Sequence, residues 1–165
     1  MTEISRIVPC LWFDSCAEEA AAFYVGLFPG SGIDAVARYG TDGFEHHGKA
    51  PGTALTVAFH LGAHAFTALN GGPRFTFSEA VSFQVMCDDQ AEIDRLWLGL
   101  TQGGGTESRC GWLKDRFGLS WQVVPRSLPG MMTDPDPARV ARVMQALLPM
   151  GKLDLGALER AHRGA

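Results

Sequence analysis

The stretch CGWLKDRFGLSWQVVP, Cys110 to Pro125, holds a thiol, two tryptophans, an adjacent Lys-Asp-Arg triplet and a glutamine. Lys114, Asp115 and Arg116 are residue types that do acid–base work, which makes this the first place to look for chemistry. A nucleophile needs a base beside it, yet no motif sets a His or Lys next to Ser82 or Ser120. Glu79, in FSEAVSF, could act as a base, although a Glu at the start of a strand also reads as a solvated edge residue. Glu45, beside His46, has the same standing.

The triplet also has a structural reading. Gly118 follows it closely and supplies the freedom of a tight reversal. Asp115 is then expected to bond the backbone amides of a turn between the last two strands. The five histidines are scattered. His46 and His47 are neighbours in a Gly/Pro-rich loop and would point to opposite sides of an extended chain, and His60 and His64 flank a hairpin turn. Cys10, Cys16, Cys87 and Cys110 form no CxxC pair and match no zinc spacing. Reduced, buried thiols are the expectation for Cys10 and Cys87, which lie in apolar runs.

The elements that must carry these residues repeat. Val8 to Ser31 and Ser82 to Gly105 align without gaps at an offset of 74 residues, with Asp14 on Asp88, Ala17 on Ala91, Glu18 on Glu92 and Gly30 on Gly104. Each copy reads as apolar run, Asp, capping segment, amphipathic helix and glycine-rich exit. Ser15 to Glu18 and Asp89 to Glu92 both have capping-box character. Ala20, Phe23, Tyr24, Leu27 and Phe28 form one helical face, and Ile93, Leu96, Trp97 and Leu100 another. Strands are expected over Ile4–Phe13, Gly32–Gly40, Thr53–Gly62, Ala63–Gly71, Ala80–Cys87, Thr106–Arg109, Cys110–Lys114 and Leu119–Pro125, with a loop over Thr41–Gly52. The unit is βαβββ, used twice (about 1–76 and 77–130), in a single α+β domain over 1–130. A helical extension follows over 131–165, with Val140, Val143, Met144, Leu147 and Leu148 on one face and a second short helix from near Asp154. The extension is expected to pack on the body or on a partner subunit.

Composition sets the outer bounds. The chain has 165 residues, 46% hydrophobic and 19% charged, enough for a packed core. Its formal net charge is −4 without any long basic run, which argues against nucleic acid as a partner. No apolar run approaches the ~18 residues of a membrane span. The start, MTEISRIVPC, lacks the charged and apolar regions of a signal peptide, and a cytoplasmic location is expected.

A doubled βαβββ unit resembles the vicinal oxygen chelate superfamily of glyoxalase I, the bleomycin-resistance proteins and the extradiol dioxygenases. The segments PCLWFD, AEEAAAFYVGLFPGS, FTALNGGPRFTFSEAVSF, CGWLKDRFGLSWQVVP and RVMQALLPMGKLDLGAL are similar to its PhnB-like group, labelled 3-demethylubiquinone-9 3-methyltransferase. The resemblance implies two cupped, mixed or antiparallel sheets in the glyoxalase-like fold, a cavity under each, and a homodimer. The label implies a methyltransferase, but the first strand-to-helix turn, FDSCAEE, has no glycine for a cofactor cradle. Gly103 to Gly105 follow a helix instead.

Metal-using members of the superfamily place His or Glu on the first and last strands of each module. By resemblance those positions fall at Pro9 or Cys10, Ala68 or Asn70, Ser82 or Gln84, and Gln122. None is His, Asp or Glu, and amide oxygens are weak ligands for transition metals. No metal and no cofactor are therefore expected. The candidate cavity residues are Cys10, Trp12, Phe66, Asn70, Gln84, Met86, Trp112 and Gln122. Aromatic rings and amides suit a planar or amphipathic small molecule, although each aromatic could equally be core. Three functions follow: a metal-free small-molecule binder akin to the bleomycin-resistance branch; a metal-dependent lyase, isomerase or dioxygenase; and, on the label alone, a methyltransferase.

Overall fold

A computed structural model describes residues 7–164. The chain divides between Thr76 and Phe77 into two compact units, and each builds one four-stranded sheet.

In the first unit β1 (Cys10–Phe13) leads into α1 (Ala17–Leu27), followed by β2 (Gly32–Arg38), the short α2 (Phe44–His47), β3 (Ala54–Leu61) and β4 (His64–Asn70). The sheet order is β1-β4-β3-β2, with β1 parallel to β4 and the other pairs antiparallel. Leu61 faces His64 across the hairpin, so the reversal falls at Gly62-Ala63 as expected. The segment expected to be a loop, Thr41–Gly52, contains the single turn α2. The part of the expected first strand at Ile4 to Arg6 lies outside the described residues.

The helix face of α1 differs from its periodicity. Ala17, Ala20, Ala21 and Tyr24 are buried, whereas Phe23, Leu27 and Phe28 are only half-buried. Small alanines let the helix lie close to the sheet, and Tyr24 stacks on Phe59 of β3. The expected cap at Ser15 does not form: the N-cap is Cys16, with no side-chain bond. Asn70 Oδ1, from the end of β4, accepts instead from Ala17 N at 2.8 Å.

The second unit repeats the plan with β5 (Ser82–Cys87), α3 (Gln90–Thr101), β6 (Thr106–Glu107), β7 (Trp112–Lys114) and β8 (Ser120–Pro125). Its order is β5-β8-β7-β6, again with the first and last strands parallel. Here the capping segment works as its sequence says. Asp89 Oδ1 accepts from Glu92 N, and Glu92 Oε2 accepts from Asp88 N. Ile93, Leu96, Trp97 and Leu100 are all buried on one face of α3. The fold is α+β, built from two βαβββ modules with mixed sheets.

The C-terminal part belongs to the second unit. It consists of α4 (Leu128–Met132), α5 (Pro137–Leu147) and α6 (Leu155–Arg163), so helix begins before residue 131. Val143, Leu153 and Leu158 are fully buried with Leu128 and Met131 against Val124 of β8, and Met86 of β5 packs on the same cluster. Backbone bonds from Cys110 N to Met150 O and from Gly111 N to Gly151 O tie the extension to the entrance of β7. Of the expected α5 face, Val143 is buried and Leu148 is exposed. No described helix is long and apolar enough to cross a membrane.

Candidate functional site

Strand register decides which candidates share a face. In the second sheet Gln84 pairs with Gln122, and Gln122 with Trp112. Pairing of Ser82 with Ser120, and Ser120 with Lys114, sets a second row on the same face, because side chains alternate along a strand. The opposite face carries Val85, Leu113, Trp121 and Val123. The amide row is bonded within itself. Gln84 Nε2 donates to Gln122 Oε1 at 3.1 Å, and Gln122 Nε2 donates to Ser82 Oγ at 2.8 Å. Gln84 is exposed, and Gln122 and Trp112 are half-buried.

Beside this row lies a cavity of about 260 Å³ lined by Glu79, Thr106, Glu107, Ser108, Trp112, Leu113, Lys114 and Ser120. Lys114 Nζ pairs with the Glu79 carboxylate. That bond holds the Glu79 carboxyl below the usual carboxylate range. Glu107 Oε1 accepts from Trp97 Nε1 at 2.8 Å. Ser120 is only 1% exposed, and its Oγ has no hydrogen-bond partner among the described residues. Lys114 and Ser120 face each other across the strands, a juxtaposition the spacing did not reveal. They form no nucleophile–base pair, because the ammonium is spent on Glu79 and the hydroxyl bonds to no described residue.

Other expectations are corrected. Met86 and Val124 continue the amide-bearing face, but the cluster with the C-terminal helices takes them: Val124 is buried in it and Met86, half-buried, packs against it. Phe66 and Asn70 lie on the helix side of the first sheet. Phe66 is buried and stacks on Phe59, with ring centroids 5.3 Å apart. Asn70 is 2% exposed and both ends of its amide are bonded, the oxygen accepting from Ala17 N and the nitrogen donating to Ala54 O at 2.9 Å. Cys10 and Trp12 stand on the other face of that sheet; Cys10 is exposed, so the expectation of a buried thiol fails there. Trp12 lies so close over Gly71 that a Cβ there would sit 2.1 Å from the indole, and its Nε1 donates to Gly72 O. Phe75 meets the Trp12 ring edge-on at 4.9 Å.

Asp115 does what the turn reading requires. It is buried, with Oδ1 accepting from Phe117 N and Leu119 N and Oδ2 accepting from Trp121 Nε1. Gly118 takes φ +86° in the same turn. Three of the histidines have local roles: His60 Nδ1 bonds Asp34 Oδ1, His46 pairs with Glu45, and His47 Nδ1 accepts from Lys49 N.

The sequence model of the family described as 3-demethylubiquinone-9 3-methyltransferase matches residues 5–124. The chain belongs to this family. Among solved structures, a PhnB protein from Bacillus cereus, described as a 3-demethylubiquinone-9 3-methyltransferase, is 32% identical with a TM-score of 0.65. The match covers 73% of this chain and 99% of that one. Protein PA1353 from Pseudomonas aeruginosa is 24% identical (TM-score 0.57; 71% and 94% covered) and shares the fold. So does the fosfomycin resistance protein FosX from Mesorhizobium loti, at 12% identity (TM-score 0.51; 81% and 100% covered). No curated protein matches the sequence. This PhnB-like chain shares its glyoxalase-type fold with these structures.

Membership raises the question of a divalent metal, and the donor set answers it. In this PhnB-like protein Cys10 pairs with Thr67 as Gln84 pairs with Gln122, so the fourth-strand equivalent of Gln122 is Thr67, not Ala68 or Asn70. In the first unit these positions offer a thiol and a hydroxyl, and in the second two amides bonded to each other, donors of which neither set suits a divalent transition metal. Among the described residues no three His, Cys, Asp or Glu side chains group as ligands. The family's label is no better matched, since residues 14–16, between β1 and α1, offer no glycine-rich cradle.

The spacing missed the cavity's other walls. Ser120 had a usable signal, because alternation along β8 sets it on the face of Gln122. Thr106, Glu107 and Ser108 join it through the pairing of β6, β7 and β8, and Glu79, just before β5, through that of β5 with β8, which no local pattern encodes.

Proposed function

We propose that this PhnB-like protein binds a small planar or amphipathic molecule, without a metal ion, on the amide-bearing face of its second sheet. The observation that carries the reading is the bonded row Ser82–Gln122–Gln84 beside Trp112 and the adjoining cavity. Gln84 keeps an exposed amide oxygen with no partner among the described residues, ready to orient a ligand. Trp112 offers a wall for stacking, and a few fixed polar groups beside an aromatic surface are the usual makings of a ligand pocket.

The acting form is a cytoplasmic homodimer on this reading. Strands β2 and β6 each end a sheet, and open edges favour pairing with another chain. A metal-dependent lyase, isomerase or dioxygenase finds no group of three His, Cys, Asp or Glu side chains among the described residues to support it, and a methyltransferase rests on the family description alone.

A thermal-shift screen of aromatic metabolites and antibiotics on the full chain tests binding, because a ligand specific for the folded state raises the melting temperature. A hit that Gln84→Ala and Gln122→Ala both weaken supports the site. Stoichiometric zinc, nickel, manganese or iron in protein purified without added metal overturns the metal-free reading. Light scattering at micromolar concentration that reports a monomer overturns the dimer.

A further inference from the structure

The cavity beside Trp112 has a charge asymmetry that narrows the ligand, on the understanding that this inference rests on the binding reading above. Two carboxylates, Glu79 and Glu107, line it against one ammonium, Lys114. Both charges of the Glu79–Lys114 pair are partly exposed, and the pair leaves Glu107 as the uncompensated charge. Glu107 uses one oxygen on Trp97 Nε1 and stays exposed. An entering anion would have to take Lys114 from Glu79 while approaching Glu107, against the local field.

The second, independent observation is the Ser120 hydroxyl. A buried hydroxyl without a partner forfeits the hydrogen bond it had in water. Ser120 is among the residues that line the cavity, on a row shared with Lys114 and Ser82. It can accept from a donor that enters there. Trp112, on the cavity wall, presents the aromatic surface that attracts a cation.

We infer that this cavity receives the ammonium group of a small aromatic amine, with Ser120 Oγ accepting a hydrogen bond from it and Glu79 and Glu107 supplying the countercharge. The aromatic part lies along Trp112 toward the Gln122–Gln84 row. A neutral hydroxyl could satisfy Ser120 but would leave the charge asymmetry unused. A carboxylate is the disfavoured ligand.

The test is titration calorimetry on the full chain at pH 7 and low salt with three probes of one ring system: tryptamine, 3-methylindole and indole-3-acetate. Tryptamine is expected to bind roughly tenfold or more tighter than indole-3-acetate, a difference of about one favourable charge contact. Ser120→Ala is expected to weaken tryptamine about 3–10-fold, the worth of one hydrogen bond. It should leave the melting temperature unchanged or higher, since the hydroxyl it removes bonds to no described residue. Glu79→Gln, an exposed position, should shrink the preference for the amine. Preference for indole-3-acetate, or equal tryptamine affinity in Ser120→Ala, overturns the inference and leaves the binding reading standing. If none of the three probes binds, the inference falls, while the broader screen decides the binding reading separately.

Discussion

Asn70 Oδ1 accepts the backbone hydrogen of Ala17 at 2.8 Å, and through that bond the last strand of the first unit caps the helix that follows its first strand. Helix starts leave amide donors without partners, and a local Ser, Thr, Asp or Asn usually serves them. Here the acceptor arrives from 53 residues away. The other half of the amide closes on Ala54 O, so one side chain joins α1, β3 and β4.

Asn70→Ala strands a buried donor at Ala17 and a buried acceptor at Ala54, and it is expected to cost about 2–4 kcal/mol. Asn70→Asp keeps the acceptor for Ala17 but loses the donor to Ala54. Urea denaturation followed by circular dichroism measures both. A loss below about 0.5 kcal/mol for the alanine variant would show that the bond does not hold the helix.

Asp115→Ala removes the acceptor of two turn amides and of the Trp121 indole from a buried site. A loss of about 3 kcal/mol or more is expected, with changed Trp121 fluorescence. Retained ligand binding in whatever fraction folds would separate this residue from the chemistry its neighbours suggest. If stability were kept and binding lost, Asp115 would belong to the site after all.

Gly71→Ala forces a methyl group into the Trp12 ring, and no rotamer of the alanine relieves it. The expected cost is about 1–3 kcal/mol, with a fluorescence change that is absent in a Trp12→Phe background. An unaltered melting temperature would mean that Trp12 does not rest on this glycine in solution.

Cys87 gives a pH dependence whose sign is fixed. Burial, with help from the charge of Glu92, pushes its thiol up to about 12. An unfolded thiol ionises near its ordinary value of about 8.5. The stability tied to the neutral buried thiol is thus complete below that value and is lost as pH rises toward about 12. Between pH 8 and 10 the wild type should lose more stability than Cys87→Ala. Equal slopes of denaturation midpoint against pH would contradict this. Cys10, which is exposed, should react with a thiol reagent at pH 8 in the folded protein, while Cys87 stays silent.

Asp134 holds the end of the chain through His162 Nε2 at 2.8 Å, with Arg139 nearby at 3.5 Å. A bond from the Asp136 backbone, then one from His162, keep its carboxyl below the usual range. That contribution is present above about pH 4 and is lost as pH falls through the lowered value. Asp134→Ala is expected to speed hydrogen exchange in Leu155–Arg163 before the sheets respond. Uniform exchange across both would show that α6 is not separately tethered.

Much of the molecule was written locally. The Gly62-Ala63 hairpin, the face of α3, its Asp89 cap and the Asp115 turn follow from spacing, because each needs only residues within a few positions of one another, and the doubled unit shows as one such local pattern written twice. The same logic failed where two faces of one strand looked alike. In β4, Phe66, Ala68 and Asn70 alternate with Ala65, Thr67 and Leu69, and both sets mix polar with apolar residues. Alternation states which residues share a face, not which face the helix covers. An asparagine read as a pocket residue was therefore a core residue, and Thr67 went unnoticed.

The site divides along the same line. By itself the sequence determined that Ser120 lies on the face of Gln122, while the place of Gln122 at a metal-ligand position came only from the resemblance. Only the tertiary structure decided that Lys114 and Ser120 meet across a strand pair, that Glu79 reaches Lys114, and that Val124 is buried in the cluster with the C-terminal helices while Met86 packs against it. The physical reason is that pairing register and coverage are relations between distant segments. They are settled by burying the largest apolar area with every backbone group bonded, and no short window of sequence contains both partners.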